Sequence, residues 1–309
     1  MNPDFRIELQ PQLIEDAVAR VMADHAEAGS FWRERDQLYE NTVGDAREAA
    51  FRNFFASWFN RLGLLAPLHH VFDLWPMLTE ATHRCILMRA QAKKHIGAEL
   101  YIAATEAGLP ARAHRTIVVQ LTPELAARSE TLLEFLRHEL LHLVDMLDPH
   151  FGYDPHFPKS EAGPAYDHFL QGRYSVLWDI TIDGRLQQRG WLPAAARARH
   201  FANFKRTFQG EEEKLMRAFA HFFDRNSHTH QELVAFARHP EHWLAGEKRA
   251  ATSQGRCAIC HFPTFQLISP GALTREVHAK IQQDYPAWNP AQLICRQCAD
   301  LYESRVTLP

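Results

Sequence analysis

One stretch of the chain decides how the rest is interpreted: Phe135-Leu136-Arg137-His138-Glu139-Leu140-Leu141-His142-Leu143-Val144. Residues four apart on an α-helix lie one turn above each other, so His138 and His142 are predicted to project from the same helix face. Two imidazoles placed in this way can bind one Zn²⁺ at about 2.0–2.1 Å each. Glu139 is next to the first of them and can act as general base on a water molecule at the metal.

The rest of this helix is apolar. Leucine occupies most of the other positions between residues 132 and 147, which predicts a helix buried nearly all round. One polar stripe crosses it, formed by Glu134, His138, His142 and Asp145. Because a buried polar group without a partner costs free energy, the stripe predicts a metal ion with hydrogen-bonding partners around it.

The residues before this helix predict how it begins. The run Thr116-Ile117-Val118-Val119-Gln120-Leu121 is typical of a buried β-strand. Thr122-Pro123-Glu124 then has the N-cap threonine and first-turn proline of a helix start. The helix is expected to begin there, with a restart at Ser129, and to end at Asp148-Pro149.

The strand, the Thr-Pro-Glu turn and His138-Glu139-Leu140-Leu141-His142 resemble the zincin metallopeptidases, either gluzincin-like or SprT-like. The resemblance covers residues 95–190. It implies a zinc-dependent peptidase that hydrolyses peptide bonds with a metal-activated water, Glu139 being the general base. It also implies that strand 116–121 runs along the cleft and pairs with extended substrate.

A catalytic zinc needs a third protein ligand. The run Trp178-Asp179-Ile180-Thr181-Ile182-Asp183-Gly184 places two carboxylates four residues apart on a predicted helix. It is similar to the second helix of gluzincins and to a Trp-Asn-x-x-x-Asp helix of some bacterial metallopeptidases. That similarity implies Asp183 as the ligand and Asp179 as the residue that orients a histidine. Gly184 is expected to let two helices approach closely.

Other residues compete for the position of third ligand. Asp148 has the spacing of a metzincin aspartate, but Asp145 occupies the position where metzincins have glycine. SprT-like peptidases, which also carry a C-terminal zinc ribbon, suggest a histidine instead, and the candidates are His150, His156 and His168. The side chains that could stabilise the oxyanion are Arg185, His168 and Tyr166.

Four of the five cysteines form two Cys-x-x-Cys pairs near the end of the chain: Cys257, Cys260, Cys295 and Cys298. This spacing predicts a closed four-cysteine site for a structural zinc, so the chain is expected to hold one catalytic and one structural zinc. A segment this short has little core of its own, so the metal is expected to supply its folding energy. Its aromatic residues suggest packing or a protein partner, and they are Phe262, Phe265, Tyr285 and Trp288.

Composition restricts the partners. The alternative function is a nucleic-acid- or protein-binding zinc-ribbon protein with a gated or inactive SprT-like protease domain. The net charge of −3 and the balanced charges of the ribbon disfavour nucleic acid, although a basic stretch at residues 185–206 keeps it open. The N-terminus does not resemble a secretory signal, and no apolar run is long enough to span a membrane. Cysteine pairs suited to thiolate ligation favour a reducing compartment, so we expect a cytoplasmic protein that acts on peptides or proteins.

The expected fold is α+β and predominantly helical, a zincin-like core with a small sheet. Three parts are predicted: a helical N-terminal region at 1–95, a zincin-like core at 96–250 and a zinc ribbon at 255–309. Residues 12–110 are predicted to be mostly helical. In that range the aromatic stripe from Phe51 to Leu62 predicts a core-facing helix, and the stretch from Thr79 to about Ile96 predicts an amphipathic one. Residues 150–172 are predicted as loop, 173–189 and 194–245 as helices, and 250–255 as a linker.

Overall fold

The computed structural model describes residues 2–104, 110–159, 163–244, 255–264 and 267–307. Its fold is α+β and mainly helical with a small mixed sheet, which confirms the predicted class at that level. The chain forms two compact units, each built from several segments. The first unit consists of Met1–Tyr153, Ile180–Ala198 and Phe223–His230, and the second of Asp154–Asp179, Arg199–Phe222 and Gln231–Pro309.

The first unit contains the sheet and the helix that carries the two histidines. Its strands are β1 (Arg6–Leu9), β2 (Arg84–Arg89), β3 (Gly97–Ile102) and β4 (Arg115–Leu121). Its helices up to the histidine motif are α1 (Pro11–Met22), α2 (Ala28–Asn41), α3 (Gly44–Arg61), α4 (Ala66–Leu74), α5 (Met77–Ala81), α6 (Pro123–Ala126) and α7 (Ser129–Leu147).

The strand order in the sheet is β1-β2-β4-β3. β1 and β2 are parallel, as are β2 and β4, whereas β3 runs antiparallel to β4. β4 is therefore paired on both sides, and its backbone groups are already used in the sheet. The expectation that strand 116–121 pairs with substrate is wrong for this reason, and β3 is the edge next to β4 among the described strands.

Two strands lie where helix was expected. β2 and β3 occupy parts of 79–102, and β2 alternates between half-buried and buried residues, with Cys85 and Leu87 pointing into the core. A short apolar run of this kind fits a helix and a strand about equally well by periodicity. The predicted boundary near residue 95 also falls between β2 and β3, which belong to one sheet.

The predicted start and end of the histidine helix are confirmed. Thr122 caps α6, since its Oγ1 accepts a hydrogen bond from the backbone N–H of Leu125, and Pro123 is the first helical residue. α7 then restarts at Ser129 and ends at Leu147. The aromatic stripe of α3 is core as predicted, because Phe54, Phe55, Trp58 and Phe59 are all buried.

The helix with the two aspartates is α8, which runs unbroken from Pro164 to Gln188 and so begins inside the segment predicted as loop. α9 (Ala195–Thr207), α10 (Glu212–Phe223), α11 (His230–Arg238) and α12 (Glu241–Leu244) follow, in agreement with the predicted helices. Residues 250–254 of the predicted linker lie outside the described residues. None of the helices in the described ranges has both the length and the apolar character that crossing a membrane requires.

Within the second unit, phenylalanines from α9 to α11 form an aromatic core: Phe204, Phe208, Phe219, Phe222 and Phe236. The C-terminal segment has two small sheets and two helices in its described part. β5 (Gly255–Arg256) pairs with β6 (Pro263–Thr264), and β7 (Leu267–Ile268) pairs with β8 (Ile294–Cys295). The helices are α13 (Arg275–Asp284) and α14 (Arg296–Thr307).

Gly184 lies in the interior of α8, where the helix passes close to the backbone of Phe223. A Cβ atom added at residue 184 would lie 2.0 Å from the carbonyl oxygen of Phe223. The expected close approach is therefore present, and its partner is the Phe223 backbone. Because a backbone group cannot move aside cheaply, we expect Gly184→Ala to lower the free energy of unfolding by about 1–3 kcal/mol.

Gly172 provides the matched control for that substitution. It lies in the same helix, and no atom is within 4 Å of its added Cβ. Gly172→Ala should stabilise the chain by up to about 1 kcal/mol through helix propensity. Chemical unfolding followed by circular dichroism would measure both variants, and equal effects of the two would contradict the close approach.

Candidate metal centres

α7 presents His138 and His142 side by side. Their ring centroids are 5.0 Å apart, and both residues are half-buried. The apolar residues around them are core as expected, since Leu136, Leu140 and Leu141 are buried. The two imidazoles are thus held by a packed helix while remaining accessible from one side.

Asp183 contacts the first of these histidines from α8. His138 Nδ1 donates a hydrogen bond to Asp183 Oδ1 at 2.7 Å, and Asp183 is only 6% exposed. With Nδ1 occupied in this way, Nε2 is the nitrogen of His138 that is left for a metal ion. This carboxylate therefore fixes both the tautomer and the orientation of the ring.

Asp179 lies one helical turn before Asp183 in the same unbroken helix. The ligand atoms offered by His138, His142 and Asp179 all lie within 4.8 Å of one another, close enough for one metal ion. Asp183 is not a member of this group. Asp179 therefore joins the two histidines in a potential metal-binding group, whereas Asp183 hydrogen-bonds to His138. The choice of Asp183 as third ligand stays a prediction.

The competing residues are placed elsewhere. Asp148 Oδ1 accepts a hydrogen bond from the backbone N–H of His150 at 2.8 Å, in the turn after α7. His150 and His168 are exposed, and His156 is exposed beside Asp154, to which it hydrogen-bonds. None of these four candidates belongs to a potential metal-binding group in the described part of the chain.

Glu139 points toward the edge strand of the sheet. Its Oε2 accepts a hydrogen bond from the backbone N–H of Ala98 in β3 at 3.1 Å. The neighbouring residue is Gly97, and a Cβ there would lie 3.4 Å from the same oxygen. The carboxylate and the edge strand are thus in contact, an arrangement that the sequence did not predict because β3 was assigned to helix.

A second polar contact joins α7 to α8. The guanidinium of Arg185 donates two hydrogen bonds to the carboxylate of Asp145, at 2.8 and 2.6 Å. The Asp145 side chain is 4% exposed and that of Arg185 is 19% exposed. Asp183 and Arg185 are therefore the partners that the polar stripe of α7 predicted.

The same contacts bear on the oxyanion candidates. Both terminal nitrogens of the Arg185 guanidinium, Nη1 and Nη2, donate hydrogen bonds to Asp145. The guanidinium is therefore already used in this ion pair. Tyr166 packs against Phe169 and Phe262, and burial raises the pKa of its hydroxyl. These placements favour structural roles for Arg185 and Tyr166.

The four cysteines of the C-terminal pairs come together, with their Sγ atoms within 4.8 Å of one another. All four are free thiols. Cys260 Sγ and Cys295 Sγ are 3.8 Å apart, and a tetrahedral site with Zn–S bonds of about 2.3 Å has an edge of about 3.8 Å. The donor set therefore fits a closed four-thiolate centre.

The protonation of these thiols follows from their crowding. A hydrogen bond from the Cys298 thiol lowers the pKa of Cys257 to about 4. Burial raises the pKa of Cys260 to about 11. The hydrogen bond to Cys257 raises the pKa of Cys298 above that of Cys260. Cys257 is therefore the thiol of these three that ionises most readily without a metal ion, and a bound divalent cation would favour the thiolate form of Cys260 and Cys298 as well.

The segment around this cluster has a core of its own, contrary to expectation. Its members are buried residues of α13, α14, β8 and the irregular segments between the elements: Ile259, Val277, Ile281, Trp288, Ile294, Ala299 and Tyr302. Trp288 is therefore used in packing, Phe262 packs on Tyr166, and Tyr285 is exposed. Phe265 lies outside the described residues. The remaining cysteine, Cys85, is buried in β2, and burial raises the pKa of its thiol.

No family model matches this sequence, and no curated protein or solved structure matches it either. What the chain shows by itself is a cluster of four cysteines and His/Asp groups that could bind metal ions.

Proposed function

We propose that this chain is a zinc-dependent peptidase of the zincin type, with its catalytic centre on α7 and α8. One observation carries the proposal: His138, His142 and Asp179 converge within 4.8 Å, while the buried Asp183 fixes the ring of His138. Glu139 is the neighbour of the first histidine and reaches the edge strand of the sheet through Ala98.

The residues present fit a catalytic zinc ion. Two imidazoles and one carboxylate are a donor set used by hydrolytic zinc enzymes, and three protein ligands leave a position for water or substrate. The hydrogen bond from His138 Nδ1 to Asp183 is the carboxylate–histidine contact that commonly supports such ligands. The three donors are half-buried, so they keep part of their surface exposed to solvent.

A zinc ion bound there would polarise the scissile carbonyl and lower the pKa of a water molecule toward about 7. The carboxylate of Glu139 takes the proton of the attacking water and passes it to the leaving amine. The Ala98 amide donates to one oxygen of that carboxylate and orients it, which leaves the other oxygen for the proton transfer. The Asp145–Arg185 pair holds α7 and α8 together beside these groups.

The substrate in this proposal pairs with β3. Among the described strands, its far side is an edge of the sheet, and an extended peptide can add to such an edge through main-chain hydrogen bonds. The strand is close to Glu139 at Ala98. Tyr101 and Ile102, at its other end, are 52% and 67% exposed and are available for side-chain contacts.

Hydrolysis of an unfolded protein by the zinc-loaded chain tests this function. We expect newly formed amino groups when the chain is incubated with casein, loss of that activity with 1,10-phenanthroline, and recovery when zinc is restored. In this proposal the catalytic zinc is held between α7 and α8, so the rate of hydrolysis should rise and fall with the fraction of chains that contain zinc. Absence of cleavage by fully loaded protein, or cleavage that persists after zinc removal, would contradict the proposal.

The two aspartates of α8 are distinguished by their effects on zinc affinity. Asp179→Asn removes a ligand and should abolish zinc binding at this centre under conditions where the parent is saturated. Asp183→Asn removes a contact to His138 Nδ1 and should weaken zinc binding by about 10–100-fold. Competition with a chromophoric chelator measures the zinc affinity of both variants. A larger loss of affinity in Asp183→Asn than in Asp179→Asn would indicate that Asp183 is the ligand.

The four cysteines hold a structural zinc in this proposal. Cys257→Ser should remove one zinc per chain and destabilise the ribbon, because the cluster loses one of its four sulfur ligands and with it the metal ion. Cys85→Ala provides the control, since Cys85 is buried in β2 outside the cluster. Metal analysis of both purified variants gives the result, and an unchanged zinc content in Cys257→Ser would rule out a structural zinc.

The ribbon is also the surface that we propose for a protein partner. Its exposed apolar residues are Tyr285, Leu293, Leu301 and Val306. Nucleic acid remains the less favoured alternative, because basic and acidic residues are nearly balanced on this segment.

A further inference from the structure

A group of potential metal ligands lies at the junction of α11 and α12, in the run His239-Pro240-Glu241-His242. The ligand atoms of its two histidines and its glutamate lie within 4.8 Å of one another. His239 Nδ1 and Glu241 Oε1 are 3.1 Å apart. The two imidazole rings are nearly parallel, with an interplanar angle of 14° and centroids 5.2 Å apart.

The backbone of this junction is held in place by hydrogen bonds. The N–H of His239 donates to the carbonyl of Ala235 at 3.0 Å and so completes the last turn of α11. The N–H of His242 donates to the carbonyl of His239 at 3.1 Å, and that of Leu244 donates to Pro240 at 2.9 Å. The three side chains therefore extend from a backbone turn that is already ordered. Binding of a ligand then costs little backbone conformational entropy.

The second carboxylate oxygen of Glu241 is an independent sign of a missing partner. Oε2 is buried and has no hydrogen-bond partner among the described residues. Burying an acceptor in this way costs free energy, because the oxygen has lost water and gained nothing in its place. Arg173 interacts with Glu241 electrostatically, and a counter-ion role for Arg173 accounts for part of the carboxylate's burial. It does not account for the His239 imidazole beside the other oxygen.

We propose that His239, Glu241 and His242 form a further binding site for a divalent transition-metal ion. Imidazole nitrogens with a carboxylate oxygen suit ions such as Zn²⁺ and Ni²⁺, and three donors leave positions for water. The site goes beyond the proposed peptidase, since it shares no residue with α7, α8 or the cysteine cluster. An ion bound there links the end of α11 to the first turn of α12.

The site offers three ligand atoms, one fewer than the cysteine cluster. Arg173 adds positive charge near Glu241. We therefore expect weaker binding than at the cysteine cluster, and a site that fills only after the stronger ones.

Calorimetric titration of the zinc-loaded full chain with Ni²⁺ at pH 7.5 tests the site. His239→Ala/His242→Ala should bind one equivalent fewer than the parent. Glu241→Gln, which preserves side-chain shape, should weaken the same equivalent at least ten-fold. The matched control is His69→Ala/His70→Ala, which removes two exposed histidines that belong to no ligand group in the described ranges and should leave the titration unchanged.

The titration measures metal binding and no activity. Its result for this site is therefore independent of whether the chain is a peptidase. Circular dichroism of each variant establishes that the helices are retained. If the double histidine variant is unfolded, Glu241→Gln alone gives the answer through its ten-fold change. The same number of equivalents and the same affinity in the parent and in the folded variants would overturn the site.

Discussion

A Glu139→Gln variant is expected to bind zinc as the parent does and to hydrolyse peptides about 10²–10⁴-fold more slowly. The amide keeps the shape of the side chain and can still occupy the place beside Ala98, but it cannot accept the proton of the attacking water. Initial rates on one peptide, measured with zinc content, give the result. An unimpaired rate would remove Glu139 from the mechanism, and loss of zinc together with activity would make its role structural.

The control for that experiment is Glu134→Gln. Glu134 lies on the same helix and is exposed to solvent. Its substitution removes the same charge from α7 without touching the histidines, so the rate should change little. A similar loss in both variants would mean that the charge of α7 as a whole, and not the position of Glu139, sets the rate.

Arg185→Met is expected to lower the free energy of unfolding by about 3–5 kcal/mol. The substitution removes the two hydrogen bonds and the positive charge that Arg185 gives to the carboxylate of Asp145, whose side chain is only 4% exposed. Removing both charges together, in Asp145→Leu/Arg185→Met, should restore much of the loss, because the uncompensated buried charge is then absent. Denaturant unfolding of the single and double variants measures the difference.

An exposed ion pair of the same type serves as the comparison. Arg197 pairs with Asp224 at 2.7 Å, and their side chains are 41% and 50% exposed. Because solvent screens such a pair, Arg197→Met should cost no more than about 1 kcal/mol. Equal losses for Arg185→Met and Arg197→Met would show that burial of the Asp145–Arg185 pair does not matter for stability.

The parts of the fold that were predicted correctly depend on residues close in sequence. The placement of His138 and His142 on one face follows from helical geometry alone. The start of α6 follows from a threonine cap with proline behind it, and the gathering of four cysteines was expected from two short repeats of one spacing. The first two signals lie within a few residues of the feature that they specify. The third joins two local pairs 35 residues apart, since a closed four-ligand metal site needs both.

The errors concern pairing between distant residues. β2 and β3 are six residues each, too short for periodicity to separate strand from helix. β2 and β3 both pair with β4 through backbone hydrogen bonds between residues that are distant in the sequence. Asp179 and Asp183 have the same residue type and differ by one helical turn, so spacing could not say which of them faces the two histidines. In the folded chain their surroundings differ, since Asp183 hydrogen-bonds to His138 and Asp179 belongs to the potential metal-binding group.

The position of zinc in crystals of the zinc-loaded chain tests the central claim most directly. Anomalous scattering at the zinc absorption edge should give a peak about 2.0–2.2 Å from His138 Nε2, from a ring nitrogen of His142 and from a carboxylate oxygen of Asp179. Asp183 should remain hydrogen-bonded to His138 Nδ1 in that structure. A fully loaded crystal with no peak between α7 and α8, or with the two histidine rings bound to different partners, would contradict the peptidase centre.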